Sequence, residues 1–225
     1  MGTKTSGHWI ALTAADGHRL DAFAVAPAAS AKGTVVVLPE IFGVNGHIQS
    51  VATDLARLGY AAIAPALFDR VQKNVNLGYD QDGVAQGIRL KSAVSVEHAM
   101  LDVAAALAHA GEARSAVVLG FCWGGTLAWL SAARLPVRAA VAYYGGQIGS
   151  FIDVELRAPV MTHFGEQDHS IPVTVYESVA REHPQVLNHL YPAGHGFNCS
   201  ERASYHADSA PKAWSRSVAF LQAAL

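Results

Sequence analysis

The sequence predicts an α/β protein with a mostly parallel central sheet, helices on both faces of that sheet and an antiparallel hairpin at the N-terminus. Short β-branched runs such as Thr34–Leu38 alternate with segments that have the apolar spacing of helices. Residues 8–26 alternate apolar and polar side chains on either side of Asp16-Gly17, which is a turn signal. No internal repeat or linker interrupts the 225 residues, so we expect one domain over residues 1–225.

The composition narrows the functions that are possible. Hydrophobic residues make up 51% of the chain and charged residues 15%, a balance typical of a folded globular protein. The net charge of −2 gives no reason to expect nucleic acid or a membrane surface as a partner. The N-terminus lacks the apolar core of a signal peptide, and no run of about 18 apolar residues follows it, so we expect a cytoplasmic protein. The two cysteines, Cys122 and Cys199, are too few for a disulfide framework.

Local signals place the elements of the first part of the chain. After the hairpin, Thr34–Leu38 is a continuous β-branched run, which is typical of a strand covered on both faces. Asn45 is a candidate N-cap for a helix that stops at Gly59. Tyr60–Ala64 is predicted to be the next strand, which establishes the strand-helix-strand repetition.

The middle of the chain carries weaker signals. Residues 65–90 show no sustained period, and we interpret them as a long loop or lid with at most one short helix. Residues 91–110 are predicted to form one long helix with five inward side chains: Val94, His98, Leu101, Val103 and Leu107. Beyond them the predicted strands are Ala116–Leu119, Ala139–Tyr144, Pro159–Phe164 and Leu187–Tyr191, and the predicted helices are Thr126–Ala133, one that begins near Ile171, and Pro211–Ala224.

One turn has the pattern of a nucleophile elbow. The segment Gly120-Phe121-Cys122-Trp123-Gly124-Gly125 stands between an apolar strand and a helix. In the pattern G-x-nucleophile-x-G, small flanking residues are needed because the chain makes a strained, crowded turn. The start of a helix and a nearby imidazole both favour the thiolate, which is the reactive form of cysteine. Cys122 is therefore the candidate nucleophile, although tight packing of a small apolar residue would also explain it.

Polar residues after two later strands are the candidate partners of this thiol. Asp168 and His195 give the chain order nucleophile, acid, histidine, which is the order that α/β-hydrolases use. His195 would hold or take the thiol proton, and Asp168 would orient the imidazole. A turn carboxylate is the alternative interpretation of Asp168. The backbone N–H groups of Ile41 and Trp123 would form an oxyanion hole.

Six motifs together resemble the dienelactone hydrolase family, in matching order and spacing along almost the whole chain. They are Pro39-Glu40-Ile41-Phe42-Gly43, Leu67-Phe68-Asp69-Arg70, Gly120-Phe121-Cys122-Trp123-Gly124-Gly125, Tyr143-Tyr144-Gly145, Gly165-Glu166-Gln167-Asp168 and Ala193-Gly194-His195-Gly196-Phe197. The resemblance implies a cofactor-free hydrolase that opens a small enol-lactone, as in the conversion of dienelactone to maleylacetate in chloroaromatic breakdown. It also implies that Cys122, Asp168 and His195 form the triad.

The resemblance implies further site residues and partners. Glu40 would be the family's buried glutamate, which contacts the resting thiol and swings away when substrate arrives. Arg70 would bind the substrate carboxylate through its planar guanidinium, and Tyr143 would also contact the substrate. Cys199 stands where the family has a second arginine, with Arg202 three positions later, and this leaves the identity of the lactone open. We expect a small lactone or ester as the partner, no metal or cofactor, and a monomer, with a homodimer as the alternative.

Several other functions remain as alternatives. A thiol esterase acting on another small ester fits the same residues. Glutamine amidotransferases also use a cysteine elbow, but His183-Pro184-Gln185 lacks the glutamate that follows their histidine. A binding module that retained the fold, or a thiol sensor in which Cys199 pairs with Cys122, is also open. Four potential metal ligands lie close together in sequence: His163, Glu166, Asp168 and His169. They do not have the spacing that places two imidazoles on one face of a helix, so a strand-to-loop junction is the preferred interpretation.

Overall fold

The computed structural model of the protein describes residues 6–111 and 116–225. Contacts within the chain divide it into two compact units, one that runs to Ala116 and one from Val117 to Leu225. Over the described residues the units together contain eight strands, which are mostly parallel, and six α-helices, so the predicted α/β class is confirmed. The expectation of a single domain stays a prediction.

The first unit begins with the predicted hairpin. Strands β1 (His8–Thr13) and β2 (Arg19–Val25) pair antiparallel, and Gly17 in their turn has a φ of +83°, a conformation that favours glycine. Strand β3 (Thr34–Leu38) pairs parallel with β4 (Ala61–Pro65), and β2 pairs antiparallel with β4. The strand order in this unit is therefore β1-β2-β4-β3.

The first helix of this unit begins where the sequence indicates. Helix α1 spans Gly46–Arg57, and the Asn45 side chain accepts a hydrogen bond from the Ile48 N–H at 3.3 Å. Gly59, just beyond the helix, has a φ of +96°, as expected for a glycine that follows a helix end. The predicted N-cap and stop signal are both confirmed.

Between β4 and the second unit the sequence prediction was wrong. A short 3-10 helix spans Leu67–Arg70, and a helix of 13 residues, α2 (Gln81–Ala93), begins inside the predicted loop and continues beyond its end. Helix α3 (Val96–His109) then starts anew, because the extended backbone of Ser95 separates it from α2. The single long helix predicted from residue 91 onward is thus the end of one helix followed by a second.

Two glycines explain why α2 was missed. Gly83 and Gly87 lie inside the helix and reduce the apolar periodicity from which helices are predicted. A Cβ at Gly83 would lie 2.1 Å from the Gly78 carbonyl oxygen, and one at Gly87 would lie 2.3 Å from that of Ile41. Glycine is required at both positions because the backbone approaches so closely, so α2 packs directly against the segment that contains Ile41.

The buried face of α3 also differs from the prediction. Val103 is buried as expected, but His98 is exposed and Leu101 and Leu107 are only half-buried. The buried residues of α3 are Ala99, Met100, Asp102, Val103 and Ala106. A charged residue, Asp102, is therefore on the inner face.

The second unit has the strand order β5-β6-β7-β8, and all of its strand pairs are parallel. The strands are Ala116–Phe121 (β5), Ala139–Tyr143 (β6), Val160–Gly165 (β7) and Leu187–Tyr191 (β8). The α-helices are Trp123–Arg134 (α4), Val173–Glu182 (α5) and Ser209–Ala224 (α6), with a 3-10 helix at Ile148–Phe151. All residues of β5, β6 and β7 are buried, including the polar Thr162 and His163 of β7. The predicted strands and helices of this unit are confirmed.

Over residues 6–111 and 116–225, the helices are all too short or too polar to cross a membrane.

Candidate active site

The turn between β5 and α4 holds Cys122 in a strained conformation. Its φ of +53° and ψ of −114° lie outside the regions that non-glycine residues usually adopt. The glycines around it are required by space, since a Cβ at Gly120 would lie 2.0 Å from the Gly124 carbonyl oxygen. A Cβ at Gly125 would lie 2.4 Å from the Tyr143 carbonyl oxygen. The turn has the geometry that the G-x-nucleophile-x-G pattern predicts.

Backbone hydrogen bonds hold this turn in place. The Cys122 N–H donates to the Tyr143 carbonyl at the end of β6 at 3.0 Å, and the Cys122 carbonyl accepts the Thr126 N–H at 3.2 Å. Cys122 carries a free thiol, is half-buried and stands at the N-terminal end of α4. The helix dipole at that end favours a negative charge on sulfur.

Asp168 and His195 meet at the ends of β7 and β8. His195 Nδ1 lies 2.8 Å from Asp168 Oδ2, and the Asp168 side chain has no exposed surface. The other Asp168 oxygen, Oδ1, accepts the N–H groups of Ser170 at 2.8 Å and Ile171 at 3.2 Å. This carboxylate therefore both shapes its own loop and holds the imidazole, so both interpretations of Asp168 describe a real contact.

The loops that carry the acid and the imidazole are tied to each other by backbone hydrogen bonds. The Glu166 N–H donates to the Tyr191 carbonyl at 2.8 Å, and the Gln167 N–H donates to the Ala193 carbonyl at 3.0 Å. A Cβ at Gly165 would lie 2.3 Å from that same Ala193 carbonyl oxygen. The close approach of the two loops fixes the distance between the carboxylate and the ring.

The imidazole of His195 also hydrogen-bonds the side chain of Cys122. Burial of the ring opposes its protonation, but the charge of the Cys122 thiolate and the hydrogen bonds to Asp168 and Cys122 outweigh burial and raise the pKa of His195 to about 10. At neutral pH the ring is therefore protonated, and it contacts the side chains of both Cys122 and Asp168. The structure thus brings together all three residues that the sequence predicts as a triad.

Tyr144 is a neighbour of the site that sequence reasoning missed. Its ring is fully buried, and its centroid lies 5.1 Å from that of the His195 ring. Tyr144 follows the end of β6 and has a φ of +38°, an uncommon value for a bulky side chain. The only sequence signal is the pair of tyrosines before Gly145, which does not tell which of the two faces the site.

The substrate-binding role predicted for Tyr143 is not supported. Its side chain has no exposed surface, and its hydroxyl shares a hydrogen bond with Ser217 Oγ at 2.7 Å. Burial raises the pKa of Tyr143, with the Ser217 hydrogen bond opposing this effect. The ring also lies 4.4 Å, between centroids, from that of His163. Tyr143 belongs to the core because it is the last residue of a fully buried strand.

The carboxylate-binding role predicted for Arg70 is not supported either. Its guanidinium contacts Asp102 through Nε and Nη2, each at 2.8 Å, and Asp16 through Nη1 at 2.7 Å. The Arg70 side chain is only 10% exposed, and that of Asp102 is fully buried. The donors that would recognise a substrate carboxylate are already bound to carboxylates of the protein. Arg70 instead links the β1–β2 turn to α3.

The remaining candidates are placed as follows. Glu40 is buried with 1% of its surface exposed, in the segment after β3. Ile41, the next residue, is half-buried and packs against α2 at Gly87. Trp123 is the first residue of α4 and is buried; it follows Cys122 directly in the chain. The roles predicted for Glu40, Ile41 and Trp123 stay predictions.

His163, one of the four potential metal ligands, has other partners. Its Nδ1 lies 2.9 Å from the Tyr191 hydroxyl and its Nε2 lies 2.9 Å from Ser217 Oγ. Burial, followed by the charges of His189 and Arg216, lowers the pKa of His163 well below its ordinary value. Both ring nitrogens are thus used in a neutral hydrogen-bond network. Across residues 6–111 and 116–225, His, Cys, Asp and Glu side chains do not form a group of three or more that could hold a metal ion.

The fold and the chain order of thiol, carboxylate and imidazole are those of an α/β-hydrolase. The profile of the dienelactone hydrolase family matches residues 20–225. The chain is 31% identical to the carboxymethylenebutenolidase of Pseudomonas putida, over 94% of both chains. The chain therefore belongs to the dienelactone hydrolase family, and it is a hydrolase that acts on carboxylic ester bonds.

Two further comparisons agree with this assignment. A protein of Escherichia coli (strain K12) named "Putative carboxymethylenebutenolidase" is 38% identical, over 81% of this chain and 73% of that protein. The crystal structure of the "Putative Dienelactone Hydrolase" from Klebsiella pneumoniae is similar with a TM-score of 0.80 at 32% identity, covering 94% of this chain and 98% of that one. The fold predicted from the sequence is therefore found in a solved structure of a related protein.

Proposed function

We propose that this hydrolase opens a small enol-lactone or ester through a thioacyl intermediate on Cys122. The observation that carries the proposal is the contact of His195 with both Cys122 and Asp168 at the strained start of α4. A thiolate paired with an imidazolium is a nucleophile ready to attack at neutral pH. The name of the Pseudomonas putida relative supports a butenolide-type lactone as the substrate class.

The proposed chemistry runs in two halves. In the first, the Cys122 thiolate attacks the lactone carbonyl, the ring C–O bond breaks, and the His195 imidazolium gives its proton to the departing enolate oxygen. The product enol remains attached as a thioester. In the second, the neutral imidazole removes a proton from water, the resulting hydroxide attacks the thioester, and the thiolate leaves. The protonated ring and the thiolate are then restored.

Three predicted residues would assist these steps. The backbone N–H groups of Trp123 and Ile41 are proposed as donors to the oxyanion that forms at each attack. Glu40 is proposed to modulate the thiol, and its burial in the segment after β3 is consistent with the buried glutamate that the resemblance implies. Asp168 would keep the imidazole in the orientation that the proton transfers require.

A thiol esterase that acts on another small ester is the alternative. The specific observation in its favour is that the Arg70 guanidinium is bound to Asp16 and Asp102 and is therefore not available to bind a substrate carboxylate. A neutral ester has no carboxylate that must be bound. The triad and the two-step chemistry would be the same for both substrates.

The test is the loss of dienelactone ultraviolet absorbance in steady state, with a neutral activated aryl ester assayed in parallel. Cys122→Ala should abolish turnover of both substrates, and Cys122→Ser should be poor because a hydroxyl is far harder to ionise than a thiol. Cys199→Ala is the matched control, since it removes the other thiol of the chain. Undiminished turnover by Cys122→Ala would refute the proposal. Cleavage of the aryl ester alone, through Cys122, would establish the esterase alternative.

We also propose that the enzyme serves aromatic-compound breakdown in the cytoplasm, as a monomer or homodimer. Cys122 and Cys199 are not joined in a disulfide, a state that a reducing compartment preserves. Growth of a deletion strain on chloroaromatic compounds would test the role, and light scattering of the purified protein would test the oligomeric state. Normal growth of that strain would contradict the role in breakdown.

A further inference from the structure

The ring of Tyr144 touches the parts of the chain that carry both the nucleophile and the imidazole. Its centroid lies 5.1 Å from His195 and 5.5 Å from Phe197 on one loop. It also lies 6.2 Å, between centroids, from Phe121, the residue directly before Cys122. The side chain has no exposed surface, so these contacts are made inside the packed protein.

The backbone that presents this ring is held in a conformation unfavourable for tyrosine. The φ of +38° at Tyr144 lies in the left-handed region, where a bulky side chain is a genuine outlier. The Tyr144 N–H donates to the His163 carbonyl of β7 at 2.7 Å, while the preceding carbonyl, that of Tyr143, accepts the Cys122 N–H at 3.0 Å. Backbone outliers of this kind persist only where the surroundings enforce them, and they cluster at functional sites.

We propose that Tyr144 is a positioning residue, whose ring holds the His195 imidazole in hydrogen-bond reach of Cys122. The ring planes of Tyr144 and His195 meet at 56° with their centroids 5.1 Å apart, so the tyrosine ring limits tilting of the imidazole. Asp168 holds the His195 ring through a hydrogen bond at Nδ1, and the Tyr144 ring packs against the imidazole ring itself. This inference rests on the proposed function, because it assigns a second support to the same imidazole.

The test compares Tyr144→Leu, which removes the aromatic ring, with Tyr144→Phe, which keeps it. We expect Tyr144→Leu to lower kcat for a neutral aryl ester at least about tenfold with KM changed less than about threefold, and Tyr144→Phe to recover most of that loss. Tyr144→Gly separates strain from contact, since glycine adopts a positive φ freely. Tyr144→Gly should lower kcat as much as Tyr144→Leu does. It replaces Tyr144→Leu in the test if the leucine variant does not fold.

A second readout distinguishes positioning from a structural role. When the imidazole loses its contact with Cys122, the pKa of His195 should fall from about 10 towards its ordinary value of 6.5, which NMR titration of the ring would detect. Tyr60→Leu is the matched control, because Tyr60 is also buried but lies outside the candidate site. It should lower thermal stability and leave kcat per folded molecule unchanged.

The outcomes separate this inference from the proposed function. If Tyr144→Leu or Tyr144→Gly lowers stability but leaves kcat and the His195 titration as in the wild type, Tyr144 is a packing residue and the inference is wrong. If Cys122→Ala retains turnover, the proposed function fails whatever the Tyr144 variants show. The inference holds when Cys122→Ala is inactive and the loss of the ring changes both kcat and the titration.

Discussion

The two carboxylate oxygens of Asp168 have different partners. Oδ2 lies 2.8 Å from the His195 ring, while Oδ1 accepts two N–H groups of its own loop. Asp168 therefore supports its own loop and also contacts the imidazole, and a substitution has to be chosen that separates the structural role from the proposed triad role. Asparagine retains one oxygen acceptor for the loop, but it removes the negative charge and replaces the oxygen that faces His195 Nδ1 with an N–H donor.

Asp168→Asn should reduce kcat roughly 10²-fold or more and leave thermal stability nearly unchanged. The reason is that the imidazolium loses its charged partner while the loop keeps its hydrogen bonds. Steady-state kinetics and a thermal melt of the same preparation would measure the two effects. The comparison variant is Asp168→Ala, which should also destabilise the protein by about 1–3 kcal/mol because the loop N–H groups lose their acceptor. Wild-type kinetics in Asp168→Asn would exclude a catalytic role for the charge.

The pH dependence of activity should follow the protonation of the His195 imidazole. Its pKa in the folded protein, about 10, lies above its ordinary 6.5. The protonated ring therefore stabilises the fold fully below about pH 6.5, and this contribution is lost as the pH rises through about 10. We expect kcat/KM to be level from about pH 7 to about pH 9 and to fall at higher pH as the imidazolium acid is lost. A pH–rate profile, with return to neutral pH to exclude inactivation, measures this. A fall centred near pH 7 would contradict the assignment.

Substitution of the thiol tests the cause of this shift. The Cys122 charge is the largest of the effects that raise the pKa of His195. Cys122→Ala should therefore lower that pKa, because both the charge and the hydrogen bond are removed while burial remains. NMR titration of the imidazole in the two proteins would show it. An unchanged titration would mean that Asp168 alone sustains the imidazolium.

At the scale of elements, the turn between β5 and α4 depends on close backbone approach. Nearly all of α4 is buried, so the helix cannot shift to make room for a side chain in the turn. The same turn fixes the orientation of the thiol and brings the start of the helix next to it. Small residues here are required by the close backbone approach around Cys122 and not by flexibility of the chain.

Gly120→Ala should therefore destabilise the protein by at least about 3 kcal/mol and abolish activity, because the added methyl would lie 2.0 Å from the Gly124 carbonyl oxygen. The matched control is Gly146→Ala in the same unit, where the nearest atom, in Ile171, is 3.9 Å from the added carbon. That control should cost less than about 1 kcal/mol. Chemical denaturation would measure both variants. Equal stability of the two would contradict the steric account of the elbow.

At the scale of the whole molecule, buried charges join segments that are far apart in the chain. Arg70 holds Asp16, from the β1–β2 turn, together with Asp102, from the inner face of α3. The Arg70 guanidinium lowers the pKa of Asp16 to about 2. Burial raises the pKa of Asp102, and the contacts with Arg70 counter this effect. The cluster thus compensates a charge that would otherwise be costly inside the protein.

Arg70→Gln should lower the free energy of unfolding by about 3–5 kcal/mol, because it leaves the Asp102 carboxylate buried without its cation. Among molecules that remain folded, KM should change equally little for acidic lactones and for neutral esters. The control is Arg57→Gln, which breaks an exposed pair with Asp54 and should cost at most about 1 kcal/mol. A KM raised for acidic substrates alone would restore the carboxylate-binding role that the sequence suggested for Arg70.

The sequence by itself determined the parts of this protein that depend on local order. Local backbone conformation depends on residues that are close together in the chain. This is why the sequence predicts the strands from β-branched runs, the start of α1 from Asn45, the hairpin from its turn, and the tight turn at Cys122 from the glycines around it. Chain order then sufficed to select Asp168 and His195, because the carboxyl ends of adjacent parallel strands meet at one edge of a sheet. The order of the strands along the chain therefore predicts that Asp168 and His195 lie close together.

Only the tertiary structure decided the features that depend on contacts between distant segments. The sequence does not predict helix α2, because its glycines interrupt the apolar periodicity. Those glycines are required by the close approach of the Gly78 and Ile41 carbonyl oxygens, which only the tertiary structure shows. The partners of Arg70 come from residues 54 and 32 positions away, so no local pattern could show that its guanidinium is already bound. Of two adjacent tyrosines, a left-handed backbone at the second turns Tyr144 to His195 while Tyr143 stays in the core. The direction of a side chain at the end of a strand depends on packing against distant residues. Local sequence does not predict that packing.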